Sequence, residues 1–203
     1  MKICIIDYGS GNISSIKNLL SSLDFENVVS NKDKDIINSS HLILPGVGSY
    51  SNVMSKLKNN CNLDILESEV LNKKKPFLGI CVGMQILSDY GLENEKTKGL
   101  GWIKGECKKI STSKRLPHIG WNNIKIQKTN PLFKFIDQDE YFYFVHSYHF
   151  DVRNEDSRLT LTNYDIEFTS TVCKENIYGT QFHPEKSQQA GIQLFKNFVN
   201  IQN

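Results

Sequence analysis

The sequence predicts an α/β fold: a mostly parallel central sheet with helices on both faces and antiparallel strands added in the second half. Three observations carry this reading. Early in the chain, short apolar runs alternate with stretches whose apolar residues recur at helical spacing. Those apolar runs are continuous, as in strands buried on both faces of a parallel sheet. From about residue 100 onward, short strand patterns dominate, and a clear helical pattern returns only at the end.

The elements follow in order. Residues 2–7 read as a buried strand, and Asp7-Tyr8-Gly9-Ser10-Gly11-Asn12 as a turn. Residues 14–23 carry helical spacing, Val28-Val29 suits a short strand, and residues 33–38 suit a polar helix. The apolar strand 41–44 runs into the loop Pro45-Gly46-Val47-Gly48. Helical stretches at 49–58 and 62–72 lead to a strand at 76–81. Lys73-Lys74-Lys75 reads as a solvated helix end, where cations are favoured. Later strands are expected at 100–110, 121–127, 140–152, 158–163, 167–173 and 176–182, with a last helix at 188–201. The polar stretch 93–98 reads as a surface loop.

Bulk properties narrow the function classes. With 203 residues the chain is long enough for one domain with a full core. A formal charge of +2 gives no electrostatic reason to expect nucleic acid or a membrane surface. The apolar N-terminal run is too short for a signal peptide, and no stretch approaches a membrane span. Five cysteines without a Cys-x-x-Cys pair suggest free thiols in a reducing compartment, so the cytoplasm is expected.

Pro76-Phe77-Leu78-Gly79-Ile80-Cys81-Val82-Gly83-Met84-Gln85 is the most informative run. A buried strand stops at a cysteine flanked by glycines and turns into a helix, the Gly-x-nucleophile-x-Gly elbow with Cys in place of Ser. A thiol there sits at the positive end of a helix dipole, where the thiolate is favoured. In Phe182-His183-Pro184-Glu185, residues two apart in an extended segment point the same way, so Glu185 can orient His183 toward Cys81. The loop Pro45-Gly46-Val47-Gly48 follows a strand at the same sheet edge. Its N–H groups, with that of Val82, suit an oxyanion hole. Gly9-x-Gly11 lacks the third glycine of a dinucleotide fingerprint, and His146-x-x-His149 lacks a metal-ligand pattern. No metal and no cofactor are expected.

These motifs resemble the class I (triad) glutamine amidotransferases, a flavodoxin-like family. Three further segments, Asp7 to Asn12, Pro117-His118-Ile119-Gly120-Trp121-Asn122 and Tyr143-Phe144-Val145-His146-Ser147-Tyr148, resemble the glutaminase subunits of imidazole glycerol phosphate synthases. The resemblance implies one amidotransferase domain over residues 1–203. It implies Cys81 as nucleophile, His183 as acid and base, and Glu185 as the group that orients it. It also implies an oxyanion hole at Val47, Gly48 and Val82, and glutamine contacts at Gly46, Gln85, Ser147 and Tyr148. Asn12, Trp121, Asn122, Tyr143 and Lys186 would lie near a partner. That partner would be a (β/α)8-barrel cyclase, bound as a heterodimer and receiving ammonia. Free ammonia at neutral pH is mostly ammonium, so the acceptor must be close, and this chain has no room for an acceptor domain. A paralogue serving a different synthase, such as one forming an amidino group on a surface-glycan sugar, fits the same motifs. A non-catalytic regulatory subunit fits less well, because Cys81, His183 and Glu185 are all present. Ser49-Tyr50-Ser51 and the polar stretch 88–98 depart from the family pattern.

Overall fold

The computed structural model describes residues 1–202. Its first half follows the alternation read above: β1 (Lys2–Ile6), α1 (Ile13–Ser22), β2 (Glu26–Ser30), α2 (Asp33–Asn38), β3 (His41–Gly46), α3 (Tyr50–Asn60), α4 (Leu63–Glu67), β4 (Phe77–Cys81) and α5 (Val82–Gln85). A π-helical turn, Ser68–Asn72, extends α4. The second half holds β5 (Tyr90–Gly91), β6 (Thr97–Lys98), β7 (Gly105–Lys109), β8 (His118–Asn123), β9 (Lys125–Ile126), β10 (Tyr141–His146), β11 (Tyr148–Val152), β12 (Arg158–Tyr164), β13 (Ile166–Lys174), β14 (Ile177–Thr180) and the closing helix α6 (Gln188–Val199).

Eight strands form the main sheet in the order β2-β1-β3-β4-β14-β13-β12-β9. The first five run parallel; β13, β12 and β9 continue antiparallel. The central parallel strands β1, β3 and β4 are mostly apolar because helices cover both faces. Thus β3 and β4 are buried along their whole length. Helix α1 buries Ile16 and Leu20, spaced four apart on one face. β3 and β4 end side by side, with Gly46 paired to Cys81. This puts the glycine loop and the thiol at the C-terminal edge, where ligands of such sheets gather.

Several boundaries differ from the sequence reading. Only 105–109 of the expected strand 100–110 is extended; Gly101, at φ 70°, turns the chain before it. The expected strand 140–152 breaks at Ser147, so that β10 pairs with β8 while β11 joins a separate sheet, β11-β7-β5-β6. The stretch 121–127 is likewise two strands, starting earlier, at His118. Residues 93–98 are not only loop, since Thr97-Lys98 pairs with Tyr90-Gly91. The lysine run is not uniformly solvated. Lys75 is buried, its Nζ donating to the Ile36 and Ile37 carbonyls at 2.6 and 2.9 Å and pairing with buried Glu69 at 2.8 Å. It satisfies carbonyls at the end of α2 that have no helical partner.

Among the described residues no helix is long and apolar enough to cross a membrane.

Candidate active site

Cys81 ends β4 at φ 56° and ψ −112°, a conformation that non-glycine residues rarely adopt. Val82 begins α5, so the thiol stands on a strained strand-to-helix turn. Glycines permit it. A Cβ on Gly83 would lie 2.1 Å from the Leu44 carbonyl oxygen, and one on Gly46 would lie 2.2 Å from the Gly83 nitrogen. The elbow and β3 therefore pack backbone against backbone. Because α5 is a single turn, its field at the sulfur comes from the unpaired N–H groups of that turn. The thiol donates to the Val145 carbonyl at 3.9 Å and accepts from Gln181 Nε2 at 3.7 Å.

β14 stops at Thr180, short of the expected 182. His183 is still extended, with its N–H bonded to the Tyr143 carbonyl at 2.9 Å. Glu185, however, lies in a 3-10 turn, Pro184–Lys186. The pair is made by this turn and not by alternation along a strand. Pro184 supplies the fixed φ of the turn's first position. His183 Nδ1 donates to Glu185 Oε1 at 2.8 Å, with the side chains only 2% and 0% exposed. The Asn12 carboxamide donates to the same oxygen at 3.0 Å. His183 Nε2 is buried and closes no hydrogen bond. Burial lowers the imidazole pKa, but the Cys81 and Glu185 side chains outweigh it and raise it to about 10. The geometry thus places an imidazole between a carboxylate and a thiol, the order that nucleophilic catalysis requires.

A cleft of about 430 Å³ opens over the sulfur, within the size range of small-molecule sites. Cys81, Val82 and His183 line it, as do Val47 and Gly48 from the glycine loop. Gly48 has φ 98°, and the Val47 carbonyl accepts from Ser10 Oγ at 3.3 Å. Gln85, Ser147 and Tyr148 line it as well. Gly46 does not: it is buried against Gly83, so its part is to let the loop approach the elbow.

Two residues, Gln181 and Glu93, were missed in the sequence, and a third, Asn12, was expected only near a partner. Gln181 is fully buried and bonds both Cys81 and Gln85; its place two residues before His183 was the available signal. Asn12 reaches Glu185 across 173 positions, which no local pattern reveals. Glu93 lines the cleft, and its Oε2 accepts the Tyr50 N–H at 2.8 Å, at the start of α3. Tyr50 itself is buried, its hydroxyl 2.9 Å from Ser88 Oγ. The two departures from the family pattern therefore form one unit: the polar stretch folds over Tyr50 and delivers Glu93.

The expected partner-facing residues divide. Trp121 is 46% exposed on β8, packed edge-on to Tyr143, and the Lys186 ammonium lies 5.6 Å from the Tyr143 ring centre. Ile119 and Tyr141 are exposed on the same sheet. Asn122 alternates inward instead, and its carboxamide bonds His118 and the Asn163 carbonyl. Among the described residues no cluster of three His, Cys, Asp or Glu side chains is placed to hold a metal ion.

Known proteins of this design are numerous. The family model for "Glutamine amidotransferase class-I" matches residues 4–201. The chain is 41% identical to the "Imidazole glycerol phosphate synthase subunit HisH" of Leptospira borgpetersenii, over 98% of this chain and 100% of that one. It is 43% identical to "HisH 2" of Methanococcus maripaludis, over 97% and 98%. Among solved structures, a glutamine amidotransferase aligns with a TM-score of 0.76 at 16% identity, over 97% of this chain and 96% of that one. The PurLQS structure of Thermotoga maritima aligns with a TM-score of 0.77 at 18% identity, over 98% and 97%; at such identities the likeness is one of fold. The chain belongs to the class-I glutamine amidotransferase family, alongside the HisH subunits of imidazole glycerol phosphate synthase.

Proposed function

We propose that this chain is the glutaminase subunit of an imidazole glycerol phosphate synthase, acting in histidine biosynthesis through a Cys81–His183–Glu185 triad. The observation that carries the assignment of residues is the buried Cys81–His183–Glu185 arrangement at the wall of the 430 Å³ cleft. Cys81 Sγ attacks the side-chain carboxamide carbon of L-glutamine, and its proton resides on His183 Nε2. Backbone N–H groups at Val47, Gly48 and Val82 hold the oxyanion of the tetrahedral intermediate. His183 returns the proton to the departing nitrogen, and ammonia leaves a glutamyl thioester on Cys81. Water then attacks the thioester, giving its proton to His183; glutamate departs and the thiol is restored. Glu185, fixed by Asn12, keeps Nδ1 protonated so that Nε2 faces the sulfur.

In this reading Gln85, Ser147 and Tyr148 bind glutamine, and Glu93 meets its α-ammonium group. The ammonia passes to a (β/α)8-barrel cyclase held as a heterodimer, docked over Trp121, Tyr143 and Lys186 in the cytoplasm. Exposed Trp121, Ile119 and Tyr141 support a docking face here, since aromatic residues are enriched in interface cores. Residues 1–203 act as one domain. Cys81→Ala is expected to abolish glutamine hydrolysis, and the wild-type chain with cyclase and its nucleotide ligand is expected to form imidazole glycerol phosphate. Activity retained in Cys81→Ala would overturn the mechanism; strong hydrolysis without coupled product would overturn the pathway.

A further inference from the structure

His118 and His146 face each other across the β8–β10 pair, register partners on its buried side. Their ring nitrogens, His118 Nδ1 and His146 Nε2, are 3.0 Å apart. His146 Nδ1 lies 2.8 Å from the Tyr148 carbonyl oxygen, and Asn122 Nδ2 lies 3.2 Å from His118 Nε2. The chemistry of these atoms leaves one assignment of protons. The Tyr148 carbonyl only accepts, so His146 carries its proton on Nδ1 and its Nε2 accepts. His118 must then donate from Nδ1, which leaves its Nε2 to accept from the Asn122 amide. Burial lowers both pKa values, to about 4 and about 3, so both rings stay neutral and keep these tautomers.

The chain ends at the cleft. The Tyr148 carbonyl that receives His146 also receives Gln85 Nε2, at 2.9 Å. The second Gln85 amide proton goes to Gln181 Oε1 at 3.0 Å. Both donors of Gln85 are thereby used, and its Oε1 is left for a ligand in the cleft it lines. We propose that His118 and His146 are positioning residues: a directed hydrogen-bond relay, Asn122 to His118 to His146 to the Tyr148 carbonyl, that holds Gln85 with its acceptor toward the ligand. The site then selects a ligand group that donates, an amide N–H or an ammonium, over one that only accepts. This rests on the glutaminase reading for the identity of the ligand, while the relay itself does not.

Two measurements test it, both on the chain in complex with its synthase partner. Nitrogen-15 labelling of histidine reports the tautomers directly: His118 and His146 are expected to be protonated at Nδ1 and bare at Nε2 at neutral pH, the reverse of the preference of the free histidine side chain. Protonation of Nε2 on either ring overturns the relay. In steady-state glutaminase assays His146→Leu is expected to raise KM for glutamine about tenfold with kcat changed less, the worth of one lost orienting bond. His146→Asn, whose amide replaces the Nδ1 donor, is expected to recover most of that loss. A folded His146→Leu variant with unchanged KM overturns the proposal. If His146→Leu does not fold, the tautomers and the KM of His146→Asn decide. Absence of glutamine hydrolysis by the wild-type complex overturns the functional reading instead, and the tautomers still bear on the relay.

Discussion

The Asn12 carboxamide donates a 3.0 Å hydrogen bond to Glu185 Oε1, the same oxygen that holds His183 at 2.8 Å. The turn before α1 thus touches the end of the triad, while the other carboxylate oxygen has no hydrogen-bond partner. A hydrogen bond to a charged group contributes about 1.5–3 kcal/mol. Asn12→Ala is expected to lower kcat roughly ten- to hundredfold, because Glu185 loses its anchor. KM for glutamine should change little, since Asn12 does not line the cleft. Steady-state glutaminase kinetics check this, and an unchanged kcat means that other groups hold Glu185.

Gly83 is a packing residue before it is a catalytic one. A methyl group there would meet the Leu44 carbonyl oxygen at 2.1 Å, and that oxygen belongs to a central strand that cannot yield. Gly83→Ala is expected to destabilise the protein by about 3 kcal/mol or more, by the strain of overpacking a dense interior. Urea unfolding measures this directly. A loss under about 1 kcal/mol, close to the scale of surface substitutions, would mean that the elbow tolerates separation from β3.

Glu93 gives a prediction that separates binding from chemistry. Glu93→Gln keeps an acceptor for the Tyr50 N–H but removes the charge from the cleft. KM for glutamine is expected to rise about tenfold or more, with kcat nearly unchanged, because the α-ammonium is bound alike in ground and transition states. A fall in kcat at constant KM would place Glu93 in the reaction itself.

Of four buried histidines whose pKa burial lowers, His41 among them, three are shifted far enough to dominate this part of the acid response. Burial lowers His118 to about 4, His146 to about 3 and His149 to about 4, from an ordinary 6.5. The folded state therefore binds fewer protons than the unfolded chain once the pH drops below 6.5. The stability that these rings contribute is present above that value and is lost as the pH falls toward 4. Each costs about 1.4 kcal/mol per pH unit in this window, and together about 4 at the steepest. His183, raised to about 10, is protonated in both states well below 6.5; its stabilising contribution is full and constant there and adds nothing to the slope. Urea midpoints measured from pH 7 to pH 4.5 check the slope; a flat profile would mean that these rings protonate while folded.

The parallel half of the fold was legible because each of its elements is specified locally. β3 and β4 are unbroken apolar runs, and the cysteine elbow carries its own glycines. The second half was blurred because turns there interrupt strand-forming residues. Ser147 splits one aromatic run into strands of two sheets, and nothing in Tyr141 to Val152 marks the break except that serine. Cys81 and His183 were readable from short motifs. Glu93 was not, since a carboxylate in a polar loop acquires meaning only when Tyr50 folds beneath it. Lys75 misled for the opposite reason: two of its neighbours are solvated, and only the tertiary fold brings Glu69 and the end of α2 to its ammonium group.

His149 offers the sharpest test of how the interior handles polar groups. It lies on β11, 5% exposed, and neither ring nitrogen has a hydrogen-bond partner. An unsatisfied buried polar group costs about 1–3 kcal/mol, so the ring is a liability that an apolar side chain of similar volume removes. His149→Leu is expected to raise the unfolding free energy at pH 7 by about 1 kcal/mol and to leave the triad chemistry unchanged. Its effect should grow as the pH falls, because the variant also loses one of the three protons that drive acid unfolding. Urea unfolding at pH 7 and pH 5 measures both terms. A variant less stable at both values would show that His149 makes a contact in solution that satisfies its nitrogens.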